Sequence, residues 1–182
     1  MSTVDLQSIR ELADRVSLTT KTVRKLSEKD LGMLDTVLIE SQEHNALVDF
    51  NDIPREQFVK FWDGFKLILS TTDKIKTDWE HPHLILGLVS RTVSEQLLNS
   101  YLLPGVFLVR LSTSSPGLLT ISYVDANKTI LHVRVIPNED GTVSVSIDGV
   151  LEQYKSLLEF VKRCSLLTHV YHDDSLLTKK ML

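Results

Sequence analysis

The amino-acid sequence predicts an α+β fold, in which a helical first half precedes a central antiparallel sheet flanked by two helices. Three observations predict it. Apolar residues recur at helical spacing through residues 1–78. Four β-like runs follow between residues 106 and 147, and turn residues separate them. One amphipathic helical segment precedes these runs and another follows them.

Composition excludes several classes of protein. The 182 residues are 42% hydrophobic and 24% charged, as in an ordinary globular protein. No apolar run approaches the ~18–20 residues of a membrane helix, and the N-terminus lacks the basic start and apolar core of a secretory signal. The net charge is −4 and neither half is basic, so we predict no nucleic-acid and no membrane partner. Cys164 is the only cysteine, which rules out an internal disulfide and favours a reducing, intracellular setting.

The first half is predicted to be helical throughout. A hydroxyl at Ser27 followed by a carboxylate at Asp30 is typical of a helix start. Asp52-Ile53-Pro54 predicts another start, because proline is tolerated in the first turn. The apolar stripes of the predicted helices are interpreted as core packing, and they are Ile9, Leu12, Ala13 and Val16, then Leu31, Leu34, Val37 and Leu38, then Phe58, Phe61, Trp62, Phe65 and Leu69.

The second half contains the predicted sheet. Thr92 to Glu95 has the spacing of a capping box and predicts a helix start, and Pro104-Gly105 ends that helix. The short gaps between the β-like runs predict antiparallel hairpins, and the runs are 106–112, 118–124, 129–136 and 142–147. A last helix is predicted from one apolar face, formed by Tyr154, Leu157, Leu158 and Val161.

One strand combines an apolar run with an arginine. Strand alternation places Arg110 and Ser112 of the run 106–112 on one face. A guanidinium in such a strand is costly unless something pairs with it. The loop that follows, 112–117, offers four hydroxyls and several backbone N–H groups, which is a good composition for an anion-binding nest. Arginine suits an anion site because its planar fork can bind two phosphate oxygens at once.

Further cations are available nearby in the sequence. Arg91 precedes the predicted capping box, and helix N-termini attract anions. His132 and Arg134 share one face of another strand and could contact an aromatic ring or a phosphate. Such a set matches a dianionic phosphate with three acceptor oxygens. Spacing alone leaves another interpretation open, in which Arg110 pairs with a buried acid of the helical half and His132 is a satisfied core histidine.

These residues resemble a known family. The segment from Pro104 to Ser114 resembles the phosphotyrosine-binding strand and loop of SH2 (Src-homology-2) domains, and it is most similar to the form found in STAT transcription factors. Trp79 and the segment from Ile85 to Arg91 resemble the start of the STAT SH2 domain, with leucine in place of an aromatic residue and Arg91 in place of lysine. The segment from Pro116 to Ser122 resembles the next strand of that family.

The helical half resembles the STAT linker domain, through Leu26 to Leu34 and Phe58 to Trp79. The likeness implies an EF-hand-like helical linker domain at residues 1–78 and an SH2 domain at 79–182. A complete STAT also has a coiled coil, a DNA-binding domain and a tyrosine-bearing tail. None of these is found here, so DNA binding and tail-mediated dimerisation are not carried over. Whether the chain is a fragment or a short natural protein stays open.

The resemblance implies a role for each matching residue. Arg110 would make the bidentate phosphate contact and Arg91 would be the second cation. His132 would line the ring side of the pocket, with Arg134 beside it. The loop would donate hydroxyl or backbone hydrogen bonds through Ser112, Thr113 and Ser114. The expected function is a phosphotyrosine-dependent binding module in signalling, with a tyrosine-phosphorylated protein or peptide as partner and a cytoplasmic location, a nuclear one being left open. The alternative is an SH2-like scaffold that binds its partner without phosphate.

Other sites are weaker. The segment 41–52 lies between two predicted helices like an EF-hand loop, but it lacks the glycine and closing glutamate that calcium needs, so we predict no calcium. The histidines and aspartates at 81, 83, 169 and 172–174 could chelate zinc, but such residues more often lie on a solvated surface, so we predict no metal and no cofactor. The catalytic motifs we sought are absent and Cys164 is interpreted as a packing residue, so the chain is predicted not to be an enzyme.

Overall fold

The computed structural model describes residues 3–4, 11, 24, 26–27, 29–30, 53–147 and 149–182. The predicted helices around residues 9–16 and 31–38 fall almost wholly outside this part of the chain. The EF-hand-like loop at 41–52 lies outside it as well.

The described helical part consists of α1 (Arg55–Lys74) and α2 (Lys76–Glu80). A short two-stranded ribbon precedes it, in which β1 (Thr3–Val4) pairs antiparallel with β2 (Ile53–Pro54). The helix predicted after Pro54 is therefore confirmed. Its predicted apolar face is also confirmed where side chains are described, because Phe65 and Leu69 are buried and Phe61 and Trp62 pack against the same core.

The rest of the described chain is built on one mixed sheet of eight strands. Its elements in chain order are β3 (Gly87–Val89), α3 (Arg91–Asn99), β4 (Val106–Ser112), β5 (Leu119–Val124), β6 (Ile130–Pro137), β7 (Val143–Ile147), β8 (Val150–Tyr154), α4 (Leu157–Arg163), β9 (His169–His172), β10 (Ser175–Thr178) and a 3-10 turn at Lys179–Met181. The strand order is β10-β9-β4-β5-β6-β7-β8, and β3 also pairs with β4.

The prediction of a wholly antiparallel sheet is wrong beside β4. The meander from β4 to β8 is antiparallel, which confirms the four predicted strands. However, β3 and β9 both run parallel to β4, at opposite ends of it. Tyr154 was predicted on the last helix but ends β8. Its ring packs edge-on against Phe160 at 5.0 Å, which explains why its position resembles one on the face of α4.

The two faces of β4 enter different clusters. Phe107, Val109 and Leu111 join the larger core, to which α1 contributes Phe65 and α4 contributes Phe160. The alternate residues, such as Val106 and Leu108, pack with Leu98 of α3 instead. Because α1 shares a core with the sheet, the prediction that the two halves pack together is confirmed.

A buried carboxylate in the first half satisfies the backbone of β3. Asp30 is 4% exposed and accepts hydrogen bonds from the backbone N–H groups of Leu88 and, at 2.8 Å, of Ser27. Its own N–H donates to Ser27 Oγ at 3.2 Å, so the predicted helix start is confirmed as a reciprocal cap. A Cβ at Gly87 would lie 2.3 Å from Asp30 Oδ1, and the positive φ there also favours glycine.

Asp78 likewise accepts hydrogen bonds from backbone N–H groups, at the start of α4. Its Oδ2 accepts from the backbone N–H of Leu157 at 2.8 Å and its Oδ1 from that of Leu158 at 3.0 Å. These are among the N–H groups that a helix cannot satisfy within itself. Asp78 is 3% exposed, and burial raises its pKa while the two backbone hydrogen bonds lower it.

Candidate anion-binding site

Arg110 lies near the centre of the sheet and is 4% exposed. One terminal nitrogen, Nη1, donates to the backbone oxygen of Val89 at 2.9 Å. The Nε atom is buried and has no hydrogen-bond partner among the described residues. Burial lowers the pKa of Arg110, and the nearby charge of Arg91 lowers it further. A buried guanidinium with an unused donor is costly, so this site favours binding an anion.

The register of the sheet brings the predicted strand residues together. Arg110 of β4 lies opposite Thr120 of β5, which in turn lies opposite Arg134 of β6. In the next row, Ser122 lies opposite His132. Because paired positions share a face, all of these side chains lie on the face that α3 covers. The predicted pairing of Arg110 with Ser112, and of His132 with Arg134, on common faces is confirmed.

The hydroxyl-rich loop begins at the end of β4, two residues after Arg110. Ser112 is 4% exposed, and its Oγ accepts from the N–H of Ser115 at 3.0 Å. That bond turns the chain, and the same hydroxyl can still donate its own hydrogen. Thr113 is half-buried and Ser114 is exposed. The loop therefore presents its hydroxyls beside the strand that holds Arg110.

Helix α1 supports this loop from outside the sheet. A Cβ at Gly64 would lie 3.1 Å from Cγ of Pro116, so the helix backbone approaches the loop closely. A Cβ at Gly117 would lie 3.7 Å from Leu67 Cβ, and the positive φ of Gly117 also favours glycine at the turn. The described part of the first half thus fixes the position of the loop.

The prediction of a capping box at Thr92 to Glu95 is wrong by two residues. Helix α3 begins at Arg91, and its N-cap is Ser90, whose Oγ accepts from the N–H of Val93 at 3.2 Å. Ser90 is a good cap for the same reason that Thr92 was predicted to be one, because its short hydroxyl reaches an unsatisfied N–H. Glu95 is therefore not needed for capping, and its carboxylate is available elsewhere.

That carboxylate pairs with two of the predicted site residues. Arg91 donates from Nε to Glu95 Oε1 at 2.8 Å. His132 Nε2 lies 3.0 Å from the same oxygen. Arg91 has 70% of its side chain exposed, whereas His132 has 15% exposed. Arg91 and His132 therefore meet at one carboxylate, on the side of the site nearest to α3.

His132 is also hydrogen-bonded to a side chain of the neighbouring strand. Its Nδ1 lies 2.9 Å from Ser122 Oγ. A neutral ring that donates from Nε2 to Glu95 can accept the Ser122 hydroxyl hydrogen at Nδ1. Burial lowers the pKa of His132, and the hydrogen bond to Glu95 opposes that effect. In the ligand-free protein, both ring nitrogens of His132 therefore have hydrogen-bond partners, as the core-histidine interpretation expected. The side chain nevertheless lies on the same face of the sheet as Arg110.

The other open interpretation, an acidic partner for Arg110, finds no support in the described chain. No ion pair to Arg110 occurs among the described residues. The two buried carboxylates of the first half that the structure describes are Asp30 and Asp78, and both are engaged with backbone N–H groups. Arg134 is exposed on β6, two strands away from Arg110.

A separate groove lies on the opposite face of the sheet. Its lining includes Ile147, Tyr154, Phe160, Arg163 and Leu166. None of the predicted site residues lines this groove.

Two other findings concern the described residues alone. They contain no group of three or more histidine, cysteine, aspartate or glutamate side chains that could hold a metal ion. They also contain no helix that is both long and apolar enough to cross a membrane.

The comparison with known families bears on the part of the chain that holds this site. Residues 84–162 match the family model of the SH2 domain. The chain contains an SH2 domain. The presence of an SH2 domain is therefore confirmed, and its central mixed sheet lies between the helices α3 and α4. SH2 domains are binding modules for phosphotyrosine-containing peptides and are not catalytic.

A relative supports the same assignment. The human tyrosine-protein kinase ABL2 is 40% identical to this chain over 100 residues, which are 55% of this chain and 8% of the kinase. The chain thus corresponds to a small part of that protein. The likeness carries no kinase activity to this chain.

Sequence reasoning missed three contributors to the site. Glu95 binds Arg91 and His132, Ser122 binds His132, and the backbone oxygen of Val89 binds Arg110. The spacing of Arg91 and Glu95, four residues apart on a helix, was the one available signal. The other contacts depend on β3 and on the strand register, which no local pattern specified.

Proposed function

We propose that this SH2 domain binds phosphotyrosine with Arg110 at the base of the site. The observation that carries the proposal is the buried guanidinium, whose Nε has no hydrogen-bond partner among the described residues. An arginine fork formed by Nε and one terminal nitrogen matches two oxygens of a phosphate. The phosphate would supply the acceptor that Arg110 Nε lacks among the described residues.

The surrounding residues would complete the phosphate site. Ser112, Thr113 and Ser114 would donate hydroxyl or backbone hydrogen bonds to the oxygens that Arg110 does not reach. Arg91 would approach from α3, where 70% of its side chain is exposed. His132 would line the ring side, with Arg134 at the outer edge. A phosphate carries a charge of about −1.5 to −2 near neutral pH, so several donors can share it.

The depth of Arg110 would select tyrosine over serine. Because the guanidinium is 4% exposed, a phosphate must enter well below the surface to meet it. The ring of phosphotyrosine holds its phosphate farther from the peptide backbone than phosphoserine does. We therefore expect a phosphoserine peptide to bind much more weakly than its phosphotyrosine counterpart.

Titration calorimetry with a degenerate phosphotyrosine peptide pool tests the proposal. The wild type should bind the phosphorylated pool, and should bind the unphosphorylated pool about 100-fold more weakly. Arg110→Ala should lose about 2–4 kcal/mol of binding free energy, because it removes a buried, charge-assisted bidentate contact. Arg110→Lys should recover only part of that loss, because a lysine cannot form the planar fork.

Lys128→Ala is the matched control for loss of a surface cation. Lys128 is exposed in the turn between β5 and β6, at the end of that hairpin away from Arg110. Its removal should leave the affinity within about twofold, since isolated surface charges contribute little. Equal binding by the wild type and Arg110→Ala would refute the mechanism. Binding that ignores phosphate would favour the phosphate-independent scaffold instead.

We also propose that residues 1–78 form a STAT-like linker domain that stabilises the SH2 domain at 79–182. Asp30 and Asp78 satisfy backbone N–H groups of β3 and α4, and Trp79 is 1% exposed at the junction. Arg24 lies 4.1 Å above the Trp79 ring, and Trp79 Nε1 donates to the backbone oxygen of Arg24 at 2.7 Å. These contacts support a linker that contributes to the stability of the SH2 domain.

A further inference from the structure

Glu95 places a negative charge inside a site built for an anion. Its Oε1 accepts from Arg91 Nε at 2.8 Å and lies 3.0 Å from His132 Nε2. Its field also reaches Arg110, where it opposes the effect of burial on the pKa. Arg91, in turn, is the first cause of the lowered pKa of Glu95, with His132 the second. The carboxylate is therefore bound by two residues that the proposed function assigns to phosphotyrosine, Arg91 to its phosphate and His132 to its ring side.

A second arginine–glutamate pair shows what is unusual about Glu95. Arg163 and Glu159 of α4 are also four residues apart, at 3.0 Å, and Arg163 matches Arg91 in having 70% of its side chain exposed. Glu159 otherwise accepts from the N–H of Lys155, a local contact at the start of its own helix. Glu95 instead reaches across to His132 on β6, and so joins α3 to the sheet at the site.

We propose that Glu95 is an internal competitor of phosphate. Its carboxylate occupies the acceptor position between Arg91 and His132 in the ligand-free protein, and the phosphate must displace it to use the Nε–H of Arg91. The inference rests on the proposed function of Arg110 and adds a residue that lowers the affinity of that site. Glu95 would thus set how strongly the domain binds phosphotyrosine.

The donor geometry explains why the two anions compete for the side of Arg91 that carries Nε. Glu95 uses the Nε–H of Arg91, which is one arm of the fork that binds two phosphate oxygens. A bidentate contact through that arm requires Glu95 to release it. A phosphate at this position would also repel the nearby carboxylate. Glu95 has 36% of its side chain exposed, so it can rotate into water at little cost.

A positioning role for Glu95 predicts the opposite result. If the carboxylate only holds Arg91 in place for phosphate, its removal must weaken binding. Glu95→Gln separates the two roles, because the amide keeps the shape of the side chain and one acceptor oxygen for the contacts now made by Oε1, but removes the charge. The competitor role predicts tighter binding, by about three- to tenfold for one partly screened charge.

The test is calorimetric titration with one peptide, acetyl-Gly-Gly-phosphotyrosine-Gly-Gly-amide, whose flanking residues make few side-chain contacts. Glu95→Gln should bind it about three- to tenfold more tightly than the wild type. Glu159→Gln neutralises the matched pair on α4 and should leave the affinity within about twofold. Urea midpoints for each variant establish that the comparison is between folded proteins.

An Arg91→Ala background supplies the second readout. Competition for Arg91 cannot occur without Arg91, so the gain from Glu95→Gln should shrink to about twofold or less. Unchanged or weaker binding by Glu95→Gln in the wild-type background overturns the inference. The Arg110→Ala variant separates the two proposals. If it binds as well as the wild type, the proposed function fails, whereas Arg110-dependent binding without a gain from Glu95→Gln refutes only the competitor role.

Discussion

Asp78 and Arg110 are both buried charged residues, but they differ in how completely their side chains are hydrogen-bonded. Asp78 belongs to α2, and both of its carboxylate oxygens accept backbone hydrogen bonds from the start of α4, at 2.8 and 3.0 Å. Arg110 lies under the loop of the candidate site, where Nη1 has a carbonyl partner and Nε has none among the described residues. The two side chains are nearly equally buried, at 3% and 4% exposure.

The difference teaches how to separate structural from functional charges. A buried ion whose partners are all present stabilises the fold, and its removal leaves those partners unsatisfied. A buried ion that lacks a partner destabilises the free protein and is retained for a ligand. The two residues should therefore respond in opposite ways when stability and binding are measured separately.

The largest expected effect on stability comes from Asp78→Ala. This change leaves the N–H groups of Leu157 and Leu158 without acceptors, and we expect the free energy of unfolding to fall by about 2–3 kcal/mol. Urea denaturation followed by circular dichroism measures it. At low temperature, where the variant is folded, its affinity for a phosphotyrosine peptide should match that of the wild type.

Asp63→Ala is the matched control for loss of an acid from the helical half. Asp63 pairs with Lys66 at 2.7 Å, but their side chains are 61% and 56% exposed. The control should change the free energy of unfolding by less than about 0.5 kcal/mol. If Asp78→Ala also lowered the free energy of unfolding by less than about 0.5 kcal/mol, the contact between α2 and α4 would not stabilise the fold. Asp78 would then not differ from Arg110 in the way described above.

A smaller effect is expected from Arg110→Met, measured without ligand. Methionine fills a similar volume and removes a buried charge, so we expect the free energy of unfolding to stay within about 1 kcal/mol of the wild type or to rise. The lost bond to the Val89 carbonyl opposes the gain. A structural arginine would instead cost about 3–5 kcal/mol on removal, and that outcome would place Arg110 in the same class as Asp78.

Local patterns were sufficient for much of the fold. The four central strands have alternating or continuous apolar runs bounded by turn residues, and the structure places each within one residue of its predicted bounds. Helix α1 followed from its spacing and from Pro54. In these segments the local repeat, about two residues in a strand and about 3.6 in a helix, determines which side chains are buried, so the sequence alone is sufficient.

The missed elements depend on partners that are distant in the chain. Strand β3 has three residues and exists because it pairs with β4 and because Asp30 binds Leu88. Strand β8 is exposed along most of its length, so it shows no apolar pattern. Serine and threonine are interchangeable as caps, which is why the start of α3 was misplaced from Ser90 to Thr92.

The sequence indicated some members of the candidate site but not the hydrogen bonds among them. A lone arginine in an apolar strand indicated Arg110, and the loop composition indicated Ser112 to Ser114. That Arg110 Nε lacks a hydrogen-bond partner among the described residues could be seen only in the three-dimensional structure, which gives the positions of the strands, α3 and the buried carboxylates. The binding of Arg91 and His132 to one carboxylate likewise required the register of β5 and β6.

The most direct test of the account is to follow the Nε–H resonance of Arg110 by proton–nitrogen NMR during titration with a phosphotyrosine peptide. The Nε atom has no partner among the described residues, so its resonance reports directly on whether the ligand supplies one. We predict a downfield shift and slower hydrogen exchange as the peptide saturates the protein, with neither change for the unphosphorylated peptide. Saturable binding of the phosphopeptide with an unmoved Arg110 Nε–H resonance would contradict the central claim.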